Sequence, residues 1–246
     1  MKLKHIISTK QFLDIKFLDK LFVIAKEMEK AERLNKIQKI LKNKVLATIF
    51  YEPSTRTRFS FETAIYKLGG ELITTESASH FSSATKGETL EDTIRVTSAY
   101  VDAIILRHNE KGSVKRASEV SSIPIINAGD GDGEHPTQSL LDLYTIKKEL
   151  GKIEGLNIAL IGDLLYGRTI HSLIYLLGSY KNIKLYFVSP DNLKIPQEYK
   201  DYLKAKNIEF EDIGDLDSIL SKLDVLYVTR IQKERFKNEK EYLKVK

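Results

Sequence analysis

The chain contains no cysteine among its 246 residues. Disulfides, thiolate metal sites and cysteine nucleophiles are therefore excluded. It also lacks any apolar run close to the ~20 residues that a membrane-spanning helix requires. Met1 to Gln11 has neither the apolar stretch nor the small-residue cleavage site of a secretory signal. A cytoplasmic protein with no membrane partner is the expectation. Histidines number five, and none of them shows the paired spacing of a metal site, so neither metal nor other cofactor is expected. No Gly-rich loop ending in Gly-Lys-Ser/Thr occurs, which leaves an ATPase reading without support.

What is present is 42 % hydrophobic and 30 % charged residues, the balance of a globular chain. The net charge of +5 invites a nucleic-acid reading, so its location matters. Residues 1–44 hold 12 basic and 5 acidic side chains, while the remainder holds 27 and 29. The excess thus lies on the N-terminal segment. There the lysines alternate with Phe17, Leu18, Leu21, Phe22, Ala25 and Met28 at helical spacing, as on the solvated face of an amphipathic helix. The segment has no interleaved aromatic platform for bases, and no nucleic-acid partner is expected.

Past residue 44, strand-like runs alternate with helix-like ones. Strands are expected at 45–51, 71–75, 102–106 and 124–127, with helices at 58–68, 90–100 and 114–121. A glycine-rich turn over 129–133 precedes a long helix over 137–150. A second series follows, with strands at 158–161, 184–188 and 224–228 and helices at 169–177 and 197–206. Such alternation predicts an α/β protein of two doubly wound domains, each with a central parallel sheet flanked by helices. The boundary falls between residues 149 and 150, with the long helix closing the first domain.

The polar clusters fall at or just past strand carboxyl ends, where open α/β sheets bind ligands. In FYEPSTRTRFSFE (residues 50–62), Ser54, Thr55, Arg56 and Thr57 stand where a strand becomes a helix. First-turn N–H groups, hydroxyls and a guanidinium can converge there on a phosphate dianion. The same residues also fit an ordinary serine N-cap beside surface arginines. Arg107 ends a central strand, His135 follows another, and Arg168 and Arg230 stand after two strands of the second series. Two cationic forks suit a substrate with two carboxylates, although each arginine alone could serve a surface ion pair. Lys86 lies in a Ser/Thr/Gly-rich loop without periodicity.

The stretch at 50–62 resembles the carbamoyl-phosphate signature of the aspartate/ornithine carbamoyltransferase family. Further motifs follow in the family's order: SSATKGETLEDT (82–93), ILRH (105–108), INAGDGDGEHPTQSLLDL (126–143), IGDLLYGRTIHS (161–172) and YVTRIQKERF (227–236). The resemblance covers essentially the whole chain. Arg168, and Arg230 with Gln232, are similar to the aspartate branch. The resemblance implies an enzyme that moves the carbamoyl group of carbamoyl phosphate to the α-amine of L-aspartate. It implies that Ser54, Thr55, Arg56 and Thr57 bind the phosphate and that Thr57, Arg107 and His135 polarise the carbonyl. His135 and Gln138 would hold the carbamoyl group, and Arg168, Arg230 and Gln232 would orient aspartate. It further implies that Ser82 and Lys86 reach a neighbouring subunit's active site, where Lys86 touches both substrates. That arrangement requires a homotrimer, and it leaves room for a separate regulatory chain.

Two departures stand out. The family usually carries Ser-Asn-Gln before the histidine, where this chain has Asp132, Gly133 and Glu134. The family also carries a His-Pro-Leu-Pro loop and returning helices after the last motif, which are expected beyond Lys246. Three other readings remain: a carbamoyltransferase for another amine, separable by competing substrates; a non-catalytic assembly partner, suggested by the missing loop; and a nucleic-acid binder, which DNA retention would reveal.

Overall fold

A computed structural model of the chain describes residues 4–78 and 86–231. The chain divides into two compact units, Met1–Thr137 and Gln138–Lys246. In the first, helix α1 (Ile15–Arg33) starts at the N-cap Asp14, whose carboxylate accepts the Lys16 N–H. Its Leu18 and Phe22 are buried while Val23 and Ile24 are exposed, which leaves the lysines on the solvated side. There follow β1 (Val45–Phe50), α2 (Thr55–Lys67), β2 (Glu71–Glu76), α3 (Leu90–Thr97), β3 (Ala103–His108), α4 (Ser113–Val120) and β4 (Ile125–Asp130). The strands form one parallel sheet in the order β2-β1-β3-β4.

Alternation along β1 sends Ala47 and Ile49 to one face and Leu46 and Phe50 to the other. The first pair joins Leu90, Ile94, Val114 and Ala117 from α3 and α4. The second joins Phe61 and Ile65 from α2. The central sheet is therefore covered on both sides, and each large side chain so buried contributes about 1.5–3 kcal/mol.

Helix α5 (Pro136–Leu150) opens at the boundary of the units. In the second unit, β5 (Asn157–Ile161), α6 (Arg168–Leu177), β6 (Lys184–Val188), α7 (Gln197–Ala205), β7 (Glu209–Ile213) and β8 (Val225–Val228) follow. Again every pairing is parallel, in the order β7-β6-β5-β8. Ala159 and Tyr186 pack with Leu216, Ile219 and Leu223 on one face. Ile158, Leu160, Leu185 and Phe187 alternate to the other and are buried. The two parallel α/β sheets are those expected from the sequence.

Details differ for physical reasons. Strand β7 was not expected, because Glu209, Glu211 and Asp212 mask its strand character. It is an edge strand whose acids meet Lys184 and Lys200, the charged edge that discourages further pairing. Strand β4 runs on to Asp130, into the expected turn. The Asp130 carboxylate accepts the Gly112 and Val114 N–H groups and the Ser113 hydroxyl, and this ties the strand end to the start of α4. Among the described residues, no helix is long and apolar enough to cross a membrane.

Candidate active site

In both sheets the order of strands reverses direction at one place. From β1 the chain moves outward to β2, then returns to the other side of β1 to lay down β3 and β4. From β5 it moves to β6 and β7, then returns to place β8 on the far side of β5. These reversals, between β1 and β3 and between β5 and β8, open crevices at the carboxyl ends of the strands. Ser54–Thr57 follow β1 and Arg107 lies at the end of β3, so both flank the first crevice. The segment 162–168 follows β5 and Arg230 follows β8, so both flank the second.

Ser54 is the N-cap residue of α2 in extended conformation, but its side chain makes no capping hydrogen bond. The first-turn N–H groups are thus left to an outside acceptor. Thr55 and Arg56 are exposed, and Arg56 has no ion-pair partner among the described residues. Arg58, one turn position on, is committed elsewhere: its guanidinium lies 3.1 Å from Glu76 and 3.7 Å from Glu62. Glu62 also accepts the Thr48 and Thr74 hydroxyls. Arg58 therefore binds helix to sheet.

Arg107 is only 7 % exposed. One guanidinium nitrogen donates to the Ala128 carbonyl at 3.2 Å and another meets Glu52 at 3.2 Å. These bonds join the end of β3 to β4 and to the segment just after β1, and fix the guanidinium at the sheet's carboxyl edge. His135 is buried, with Nδ1 3.4 Å from the Thr137 hydroxyl. Its loop is held by its neighbour: the Glu134 carboxylate accepts the Ser8 hydroxyl at 2.7 Å and the Thr9 N–H at 2.6 Å. Glu134, one of the residues that depart from the family pattern, thus ties the N-terminal segment to the histidine loop. His108 is not a second candidate. Its Nδ1 accepts the Glu110 N–H at 3.0 Å, its ring sits 4.5 Å from that of Tyr51, and burial lowers its pKa, so it stays neutral and structural.

Gln138, in the first turn of α5, donates from Nε2 to Asp142 at 2.9 Å, and the Tyr227 hydroxyl donates to the other Asp142 oxygen at 2.8 Å. Burial raises the pKa of both Asp142 and Tyr227. At the second crevice, Thr229 binds the two strand ends together. Its hydroxyl donates to the Ile161 carbonyl at 3.1 Å and accepts the Asp163 N–H at 3.1 Å. The approach is close enough that a Cβ on Gly162 would lie 2.4 Å from the Thr229 carbonyl oxygen. Gly162 also has φ +106°, a conformation that only glycine adopts readily. The buried Asp163 accepts the Tyr166 N–H at 2.9 Å, and His171 bonds the Leu164 carbonyl at 2.9 Å. This loop delivers Arg168, half-buried, as the first residue of α6. Arg230 is exposed beyond β8.

The sequence-expected residues fall into three groups. Ser54, Thr55, Arg56, Thr57, Arg107 and His135 lie at the carboxyl edge of the first sheet. Gln138, Arg168 and Arg230 belong to the second unit. Lys86 is exposed, and Ser82 and Gln232 lie outside the described residues. Sequence reasoning missed Glu52, Glu134, Asp142, Tyr227 and Thr229, each of which has a partner distant in the chain. Among the described residues, no group of three His, Cys, Asp or Glu side chains could hold a metal.

Comparison with known proteins agrees with this architecture. Residues 4–148 match the family described as "Aspartate/ornithine carbamoyltransferase, carbamoyl-P binding domain". Residues 154–246 match its "Asp/Orn binding domain". Arabidopsis thaliana chloroplastic aspartate carbamoyltransferase is 54 % identical over 235 residues, 96 % of this chain and 60 % of that protein. The aspartate carbamoyltransferase catalytic subunit of Methanocaldococcus jannaschii is 54 % identical over 99 % of this chain and 79 % of its own. Its crystal structure superposes with a TM-score of 0.91 at 52 % identity, covering 99 % of this chain and 79 % of that one. Trypanosoma cruzi aspartate transcarbamoylase, solved with N-(phosphonacetyl)-L-aspartic acid, gives 0.89 at 40 % identity, over 95 % of this chain and 74 % of that one. The chain belongs to the aspartate/ornithine carbamoyltransferase family. It spans about 60 % of the length of the plant relatives it matches.

Proposed function

We propose that this chain is the catalytic chain of an aspartate carbamoyltransferase, making N-carbamoyl-L-aspartate and phosphate from carbamoyl phosphate and L-aspartate. The observation that carries this reading is the placement of candidate groups at both crevices. Hydroxyls, an uncapped helix start and cations flank the first; two arginines flank the second. Residues 1–149 would then bind carbamoyl phosphate and residues 150–246 aspartate. The Trypanosoma cruzi relative was solved with carbamoyl phosphate and aspartate, which supports the same pair of substrates here.

The α-amine of aspartate attacks the carbamoyl carbon, the carbonyl oxygen takes up negative charge, and the carbon–oxygen bond to phosphate then breaks. The departing phosphate accepts the amine proton, so the step needs no side-chain nucleophile, metal or cofactor. Ser54, Thr55, Arg56 and Thr57 hold the phosphate through the open helix start and the guanidinium. Thr57, Arg107 and His135 stabilise the oxyanion, each such donor lowering the barrier by about 2.7–4 kcal/mol. His135 and Gln138 hold the carbamoyl group; Arg168, Arg230 and Gln232 orient aspartate. Lys86 and Ser82 act from a neighbouring subunit, which makes the working form a homotrimer. A cytoplasmic location and a separate regulatory chain belong to the same proposal; the plant relatives carry the word chloroplastic in their names.

Acceptor competition tests it. With carbamoyl phosphate fixed, L-aspartate should yield a ureido product and L-ornithine should not. Equal use of ornithine would move the chain to another branch of the family, and no product with either would remove the catalytic reading.

A further inference from the structure

The pairing of Gln138 with Asp142 decides more than where Gln138 sits. An ionised carboxylate accepts hydrogen bonds and cannot donate them. Both Asp142 oxygens already take a donor, the Gln138 amide nitrogen at 2.9 Å and the Tyr227 hydroxyl at 2.8 Å. The carboxamide of Gln138 must therefore turn its NH2 inward, which leaves its oxygen facing away as an acceptor. No hydrogen bond to that oxygen exists among the described residues. A Gln and an Asp four apart on a helix commonly form a simple surface pair worth a few tenths of a kcal/mol. Here the Asp is half-buried and is held by a third group from strand β8, three residues before Arg230.

We propose that Asp142, clamped by Tyr227, is a positioning residue that fixes the polarity of Gln138, so that the site prefers an acyl phosphate bearing N–H over one bearing a methyl group. This rests on the carbamoyl-phosphate reading above. An outward amide oxygen can accept from the carbamoyl NH2. Against an acetyl group the same oxygen meets a methyl and is left desolvated without a donor, the arrangement that makes hydrogen-bonding sites selective. Once Asp142 is lost, Gln138 can turn either end outward, and the preference weakens.

The test is calorimetric binding of inorganic phosphate, acetyl phosphate and carbamoyl phosphate to the full chain. Wild type should prefer carbamoyl to acetyl phosphate. Asp142→Ala should cut that preference about tenfold, the worth of one hydrogen bond, and leave the affinity for inorganic phosphate unchanged. Asp142→Asn keeps the shape but adds a donor, and should weaken the preference as well. Its oxygen can keep the Tyr227 hydroxyl while its NH2 donates to the Gln138 oxygen and turns that oxygen inward. Asp142→Ser keeps a polar atom but can donate as well as accept. It should show the same loss and serves if the alanine variant does not fold. An unchanged preference in the alanine or serine variant overturns the proposal, as does an equal loss for all three ligands, which marks a purely structural role. Wild type that binds phosphate without preferring carbamoyl phosphate also overturns it, leaving the phosphate site standing. Wild type that binds none of the three removes the carbamoyl-phosphate reading itself, and this inference with it.

Discussion

Arg56, Arg58 and Arg107 carry the same group in three different settings. Arg58 is paired with Glu62 and Glu76, Arg107 is buried against Glu52 and the Ala128 carbonyl, and Arg56 is exposed at the uncapped start of α2. A guanidinium left open beside free N–H groups is suited to a dianion. Arg56→Ala should therefore lower turnover by about a thousandfold or more and shift unfolding free energy by less than ~0.5 kcal/mol. Arg230→Ala should instead raise the aspartate KM and leave carbamoyl-phosphate binding near normal. Near-normal turnover in the first variant, or lost carbamoyl-phosphate binding in the second, contradicts the assignment. The candidate residues at 54–57 could be read from sequence because one short strand–helix junction contains them. Glu134 and Tyr227 could not, because their partners lie 125–126 and 85 positions away.

Asp142 also gives a pH prediction. Its folded pKa is raised above the ordinary 3.8, first by burial, with the bonds from Tyr227 and Gln138 opposing. The folded chain therefore holds this proton more tightly than the unfolded chain does. This contribution to stability is fully present below the unfolded value and is lost as pH rises through the folded one. Asp142→Asn cannot ionise, so its stability relative to wild type should increase across that rise and then level off. Urea unfolding of both proteins from pH 3 to 7 measures it; a stability of the asparagine variant relative to wild type that falls as pH rises would reverse the sign.

At the scale of elements, the apolar periods gave the number and order of most strands and helices, because parallel strands buried on both faces read as continuous apolar runs. They did not give strand β7, whose edge position allows acids at alternate sites, nor the start of α2 at Thr55, where polar site residues occupy the first turn. They also could not show why Gly162 is needed: the reason is the approach of Thr229, a residue 67 positions later. Gly162→Ala should cost at least about 1–3 kcal/mol for the strained backbone, with the 2.4 Å overlap on the Thr229 carbonyl adding to it. A denaturation midpoint within error of wild type would show that the two strand ends are not as tightly joined as described.

For the whole molecule, the shared active site is the claim that reaches furthest beyond one chain. An inactive Lys86→Ala protein and an inactive Arg56→Ala protein, dissociated and reassembled together, should regain activity, because some mixed trimers then hold a site with both groups intact. A mixture that stays inactive with trimers confirmed by sedimentation would return Lys86 to the role of a solvated loop lysine. The central claim is the transfer itself. Carbamoyl phosphate labelled with 13C at the carbonyl, incubated with the protein and L-aspartate, tests it most directly by NMR. The label should appear in the ureido carbon of N-carbamoyl-L-aspartate, with one phosphate released for each product formed. Phosphate released without labelled carbamoyl-aspartate, or no change beyond spontaneous decay, would contradict it.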